Sequence, residues 1–297
     1  MKKKVLILGK TGMLGHMVER VLAETGAVDV HGTHITDQHD PFYFNVMTGL
    51  PELAKICDRS TNYDYFINCI GMVTGQINNN DIAAVRRAIK INAVFPHELA
   101  SFAEKRGTKV IHISTDGVFS GKADSYLEDD SHDCNDLYGT TKSLGEVFNE
   151  CFLNLRCSII GPSPFEKRGL LEWFLQQSSG AVLSGYTNHI WHGISTYQFA
   201  KLCLKIIEGD RFEEIRRESA VFHFAPNEPV TKHDLLCLFN KYFQKQAEIG
   251  EAASDQNIRR VLQTKYHGLK NIYPHDISAD EMVSELANYM NKDSSRR

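Results

Sequence analysis

The sequence predicts an α/β fold built on a doubly wound parallel sheet, followed by a smaller C-terminal α/β domain. Three observations carry this. Short apolar runs, rich in β-branched residues, recur at 4–8, 28–33, 65–70, 110–114 and 152–160. Helix-compatible stretches separate them, so strand and helix alternate as parallel βαβ units require. After Gly161-Pro162 this rhythm breaks, which marks the end of the first domain.

Residues 4–8 are continuously apolar, as expected of a strand buried on both faces. Gly9-Lys10-Thr11-Gly12-Met13-Leu14-Gly15 follows, with Leu14, Val18, Val21 and Leu22 forming a helical stripe and Gly26 ending the helix. Glycine lets the backbone approach a pyrophosphate closely, and a helix N-terminus offers free N–H groups and a positive dipole end. Between a strand and a helix, this loop reads as a dinucleotide site rather than as a tight turn alone. The second strand, 28–33, leads into Gly32, Thr33 and His34. A site for NAD often carries Asp or Glu there for the ribose 2′-hydroxyl. Asp29 comes too early. With no carboxylate to repel it, a 2′-phosphate is allowed, and Lys10 and His34 are placed to help hold it. NADPH is therefore expected, with NADH as the alternative.

A third short strand is expected at 42–46, placing Asn45 and Val46 near the adenine. A fourth, 65–70, ends at Gly71, so Cys69, Ile70 and Gly71 should run along the cofactor. Residues 82–105 are helical in character, interrupted at Pro96 and closed by Gly107. Then come the strand 110–114, a helix over 138–150 and a strand over 152–160. Ligands of such sheets sit beyond the carboxyl ends of the strands, where Gly9, Gly71 and Ser114 fall.

Beyond the break, 170–177 reads as a short amphipathic helix containing Trp173, and 181–193 as irregular and aromatic. Ser195 with Gln198 resembles a capping box for a helix through Glu208, and 221–225 looks like one more sheet strand. Thr231 should cap a helix through Phe243, Ser278 with Glu281 the last helix, and 293–297 reads as a frayed tail. The dinucleotide-binding domain is thus expected at 1–160, with 194–226 returning to it. Residues 161–193 and 227–297 are expected to form the substrate domain.

The chain has 297 residues, enough for one large core or two fused domains. A net charge of −4 makes no electrostatic case for nucleic acid or an anionic membrane. Seven cysteines with no C-x-x-C pair offer no metal site, and reduced thiols fit the cytoplasm. The apolar run after Lys2-Lys3-Lys4 is too short for a signal peptide, and no stretch approaches the ~20 apolar residues of a membrane span.

The chemistry concentrates at 110–142. An apolar strand ends in Ser114-Thr115-Asp116, and a helical segment opens with Tyr138 and carries Lys142. A phenol with a pKa of ~10 is a poor donor to an alkoxide-like transition state at neutral pH. A nearby cation favours phenolate; a fall of about three units corresponds to roughly 4 kcal/mol. Lys142 stands one helical turn from Tyr138, on the same face. Ser114 or Thr115 can hold a substrate oxygen beside the phenol. Tyr-x-x-x-Lys also occurs at Tyr197/Lys201 and Tyr266/Lys270, but only the first copy follows a Ser-Thr strand end.

With these residues assembled, the chain resembles an extended short-chain dehydrogenase/reductase, and within that superfamily the dTDP-4-dehydrorhamnose reductase family. The resemblance rests on GKTGMLG from Gly9, Ile91-Asn92, STDGVFSG from Ser114, Glu128-Asp129-Asp130, YGTTK from Tyr138 and LRCSIIGP from Leu155. It spans about the first 160 residues, with a looser match through HIWHGIS near His189. It implies a Rossmann domain with NAD(P)H, a smaller domain for a nucleotide-sugar, and reduction of a 4-keto group. Tyr138 would donate the proton, Lys142 would activate it and touch the ribose, Thr115 would hold the carbonyl oxygen and Asp116 would support the site. Asn92 and Ser114 would join the cofactor site. Val73, Val118, Phe119, Trp173, Asn188 and Trp191 would line the sugar pocket. A homodimer is left open. Many relatives carry Tyr where this chain has Gly117. The acid pair of similar dehydratases is missing after Thr115, so dehydration is not expected. His192 as a second acid/base would suggest an epimerase. The alternative of another class is a non-catalytic binding subunit, since the regulatory β subunit of methionine adenosyltransferase resembles the same family.

Overall fold

The computed structural model describes residues 2–59 and 62–294. In chain order these form β1 (Lys4–Leu8), α1 (Met13–Thr25), β2 (Asp29–Gly32), α2 (Pro51–Arg59), β3 (Tyr65–Asn68), α3 (Ile82–Ala88), a π-helical stretch (Ile89–Val94), α4 (Phe95–Glu104) and β4 (Lys109–Thr115). Next come α5 (Leu137–Leu144), β5 (Phe152–Cys157), β6 (Ile159–Ile160), α6 (Leu170–Leu175), β7 (Val182–Tyr186), β8 (His189–Trp191) and β9 (Ile194–Ser195). The last part comprises α7 (Thr196–Glu208), α8 (Phe212–Glu218), β10 (Val221–His223), β11 (Val230–Thr231), α9 (Lys232–Phe243), β12 (Glu248–Ala252), β13 (Ile258–Arg259) and α10 (Ala279–Ser294).

Six parallel strands make the main sheet in the order β10-β5-β4-β3-β1-β2. The chain turns from one side to the other at β1 and β3, and a ligand crevice belongs at that switch point. Both faces are buried, which is why the strands read as apolar runs. Val5 and Ile7 face a core shared with α1 and α7; Leu6 and Leu8 face one shared with Leu53, Phe95 and Leu99. The capping boxes at Ser195 and Thr231 form as expected, and Ser278 Oγ accepts from Glu281 N at 3.1 Å.

Five expectations need correction. Residues 42–46 are not a strand: one bridge joins Tyr43 to His34, and Asn45 caps a single 3-10 turn. The helix over 82–105 does not break at Pro96. It widens into π geometry over Ile89–Val94 just before, and Pro96 follows as the second residue of α4. The helix expected to reach residue 150 stops at Gly145, whose hydrogen replaces a Cβ that would lie 1.9 Å from Asn92 O. The strand over 152–160 splits at Ser158, so that β6 leaves the main sheet to pair with β9. Residues 181–193 hold two strands, which pair with β12 and with β11 and β13. Of the expected tail, Asp293 and Ser294 continue α10, and 295–297 lie outside the described residues.

Candidate active site

The carboxyl ends of β1, β3, β4 and β5 open into a cleft of ≈ 760 Å³. It continues, through Gly12 and Cys69 to Met72, into a pocket of ≈ 200 Å³ beside the end of β2. At one end lies the glycine loop. Gly9 takes a φ of +86°, its N–H donates to Thr33 Oγ1 at 3.0 Å, and Lys10 N donates to Thr33 O at 2.8 Å. The loop is thus clamped to β2. Gly12 caps α1 with no side-chain hydrogen bond, leaving the helix's first N–H groups to the cleft that Gly12, Met13 and Leu14 line. The glycines do different work. A Cβ on Gly12 would meet only Gly9 O, at 3.5 Å, whereas one on Gly15 would fall 2.1 Å from the same oxygen. Gly15 is needed for packing; the space in front of Gly12 is left for a ligand.

Thr11, Thr33, His34, Asn45, Val46, Ile70 and Gly71 line the second pocket, as a nucleoside end would require. The two side chains named for a 2′-phosphate both have carboxylate partners. Lys10 Nζ lies 3.6 Å from Glu19, and His34 is bracketed by Thr36 Oγ1 at 3.0 Å and Asp40 Oδ1 at 3.1 Å.

At the other end β4 delivers Ser114 and Thr115, and α5 delivers Tyr138 and Lys142, all four lining the cleft with Asp116. Asp136 caps α5 by accepting from Gly139 N at 2.7 Å, which fixes where Tyr138 starts. The Thr115 hydroxyl donates to Asp116 Oδ1 at 3.2 Å and accepts from Gly117 N at 3.0 Å, and its nearness to the phenol favours phenolate. Burial nevertheless pushes the phenol up to about 12, with Asp116 and Cys157 adding to the rise. The phenol is therefore not acidified as the sequence leads one to expect; desolvation outweighs the neighbouring hydroxyl, and the oxygen keeps its proton. Burial also brings Lys142 down to about 8, against the pull of Glu146. Asp116 is raised by burial, an effect that Arg260 and Lys232 oppose from the C-terminal segment. Gly117 is closely packed here: a Cβ would stand 3.1 Å from Tyr138 Cε1 and 3.2 Å from Thr115 Oγ1, so the catalytic side chains themselves occupy the space beside it.

Several expected site residues are placed elsewhere. Val73 lines the cleft, but Val118 and Phe119 are fully buried with Tyr126 and Leu262. Trp191 belongs to the core and donates from Nε1 to Ser158 Oγ at 3.0 Å. Asn188 spends its amide on the turn at Ser254, Gln256 and Asn257. Trp173 is exposed on α6 and does not line the cleft. Asn92 accepts from Met72 N and donates to Met72 O and Thr141 Oγ1, so it clamps the cleft's wall. His192 takes Leu262 N at Nδ1 and points Nε2 to Asn227 O, which makes it a neutral structural histidine and removes the support for an epimerase. The Tyr197/Lys201 pair is structural too, with Tyr197 stacked on Tyr289 and Lys201 held by Glu285.

Sequence reasoning missed Met72, Gln76, Glu166 and Arg168, which line the cleft from irregular segments that carry no periodic signal. It also missed the polar layer behind the site. Glu146 joins Ser114 to Arg156; His112 joins Asn68 to Lys142. Among the described residues no cluster of His, Cys, Asp and Glu is arranged to hold a metal, and no helix is long and apolar enough to cross a membrane.

A parallel sheet with a glycine loop at one end of its cleft and Thr115, Tyr138 and Lys142 at the other defines an extended short-chain dehydrogenase/reductase. The chain belongs to the family described as the RmlD substrate binding domain, whose model matches residues 3–271. Among curated proteins it is similar to the dTDP-4-dehydrorhamnose reductase of Escherichia coli (strain K12), 32% identical over 143 residues, 48% of this chain and 45% of that protein. The chain thus spans about half the length of the first such relatives. It is also similar to methionine adenosyltransferase 2 subunit beta of Xenopus tropicalis, 26% identical over 243 residues, 79% of this chain and 70% of that protein. Among solved structures, the dTDP-4-dehydrorhamnose reductase of Bacillus anthracis in complex with NADP superposes with a TM-score of 0.76 at 16% identity, covering 97% of this chain and 99% of the other. That likeness establishes the fold.

Proposed function

We propose that this chain reduces the 4-keto group of a nucleotide-linked 4-keto-6-deoxy sugar with NADPH. One observation carries the reading: a single cleft joins the uncapped N-terminus of α1 to Thr115, Tyr138 and Lys142. The cofactor fits the residues present, because the space that a side chain on Gly12 would fill is open. Gly9, Thr11 and Gly12 would hold its pyrophosphate, Thr33, His34, Asn45 and Val46 its adenosine end, and Cys69, Ile70 and Gly71 its middle. When bound, the nicotinamide supplies the hydride. Thr115 holds the substrate oxygen by its hydroxyl, and Tyr138 gives that oxygen its proton. Lys142, one helical turn from Tyr138 on α5 and lining the same cleft, would meet the ribose. Lys232 and Arg260, facing Asp116, support an anionic nucleotide-sugar.

On this reading 1–160 with 194–226 serve the cofactor, and 161–193 with 227–297 serve the sugar. All seven cysteines are free, which supports a reducing, cytoplasmic setting. The test is a panel of 4-keto-6-deoxy sugars carried on dTDP, UDP, GDP and CDP. One C4 alcohol with stoichiometric NADPH oxidation is expected; inversion at C3 or C5, or turnover without net oxidation, would contradict it. The longer match to the methionine adenosyltransferase subunit favours a second reading as a cofactor-binding subunit. NADPH binding with no reduction across the panel would select it.

A further inference from the structure

His112 is fully buried on β4, and its two ring nitrogens face two different partners. Asn68 Nδ2 lies 3.0 Å from Nδ1, and Lys142 Nζ lies 3.4 Å from Nε2. The Asn68 amide has one orientation, because its Oδ1 accepts from Ile70 N at 3.2 Å. Its NH₂ group therefore points at His112 and donates, so Nδ1 is an acceptor and the imidazole proton sits on Nε2. That N–H is aimed at Lys142. An ammonium has donors only, and would set donor against donor; a neutral amine has one lone pair to receive the N–H. The amine can at the same time donate to Ile113 O, 2.7 Å away.

We propose that His112 is a positioning residue that disfavours the ammonium form of Lys142 at its seat on Ile113 O. At alkaline pH, where the amine is neutral, Lys142 then takes a proton from solvent when a cofactor's ribose draws it from this seat. Only this last consequence rests on the proposed reductase reading. Other groups facing the pair do not reverse the parity. Glu146, just past the end of α5, favours the ammonium but is already engaged by Arg156 and Ser114. Cys69 beyond β3 and Cys157 on β5 are held as neutral thiols by burial. His97 on α4 and Lys142 both disfavour a charged His112, and the Phe152 ring covers it from β5. Burial independently lowers Lys142.

Lys142 lines the cleft, so a small acylating reagent can report its titration. The experiment is competitive acetylation of the ligand-free chain from pH 6 to 11, read by mass spectrometry of the Lys142 peptide. The parent should half-titrate near pH 8 (the ordinary value is ~10.4). His112→Leu, which removes the opposed N–H, should move the midpoint up by about one unit or more, a tenfold change. His112→Gln keeps an N–H donor and should stay near the parent. A parent midpoint above pH 10, or identical midpoints in all three, would overturn the proposal. The second readout is proton uptake on NADPH binding at pH 9, from calorimetry in two buffers of different ionisation enthalpy. The parent should take up close to one proton and His112→Leu less than half as much; equal uptake would count against His112. Failure to bind NADPH with the parent midpoint still near pH 8 would overturn the functional reading and uphold the seat of Lys142.

Discussion

Arg156 forks onto Glu146, Nε to Oε1 and Nη2 to Oε2, both at 2.8 Å, with both side chains almost wholly out of solvent. Glu146 also accepts the Ser114 hydroxyl at 2.7 Å, and Arg156 Nη1 reaches Glu128 O at 3.0 Å and His223 Nε2 at 3.2 Å. Through these contacts the end of β4, the segment after α5, and β5 and β10 are tied together directly behind the cleft. Removing one partner leaves the other charge buried and unpaired. Glu146→Gln should therefore cost about 3–5 kcal/mol of stability, read by urea unfolding. Glu146→Leu with Arg156→Met should cost less than Glu146→Gln alone.

The same layer makes the chain acid-labile. Burial lowers His223 to about 4, Glu128 opposing and Arg156 assisting. Its folded value lies below its unfolded one, so its contribution is complete above pH 6.5 and is lost as the pH falls toward 4. At 1.36 kcal/mol per unit this is roughly 3 kcal/mol. Burial alone would raise Glu146, but Arg156 and Ser114 hold it below the usual carboxylate range, so its share is lost at still lower pH. Unfolding free energy measured from pH 7 to 4 should fall steadily, and His223→Gln should flatten the fall between 6.5 and 4.

The two inner glycines of the loop should separate binding from folding. Gly12→Val meets little within the chain but fills the ligand's space, so it should fold like the parent and lose NADPH binding. Gly15→Ala drives a methyl into Gly9 O and should lower the melting temperature. Thermal melts beside fluorescence titrations check both.

The strands were legible because a sheet covered on both faces writes each strand as an apolar run, and the helix caps because Ser195, Thr231 and Ser278 act on their own neighbours. Thr115, Tyr138 and Lys142 were legible for a related reason: Thr115 ends a strand, Tyr138 opens a helix and Lys142 follows one turn later on the same face. What failed depended on distant segments. The strands within 181–193 exist only because β11, β12 and β13 pair with them. Gly145 ends α5 because Asn92 approaches, 53 residues earlier by its number. Glu146, Arg156 and His112 look like ordinary surface or strand polar residues until the fold buries them against one another. Val118 and Phe119 adjoin the site in sequence but turn into a separate core.

The central claim is that the Tyr138 phenol, kept protonated by burial, gives its proton to a substrate oxygen held by Thr115. Steady-state NADPH oxidation with a 4-keto-6-deoxy nucleotide sugar, comparing the parent with Tyr138→Phe and Tyr197→Phe, tests it most directly. Tyr138→Phe should turn over ~10²–10⁴-fold more slowly, the usual share of a general acid, with cofactor affinity little changed. Tyr197→Phe, in the stacked copy of the same motif, should match the parent. Parent-like turnover by Tyr138→Phe would contradict the account.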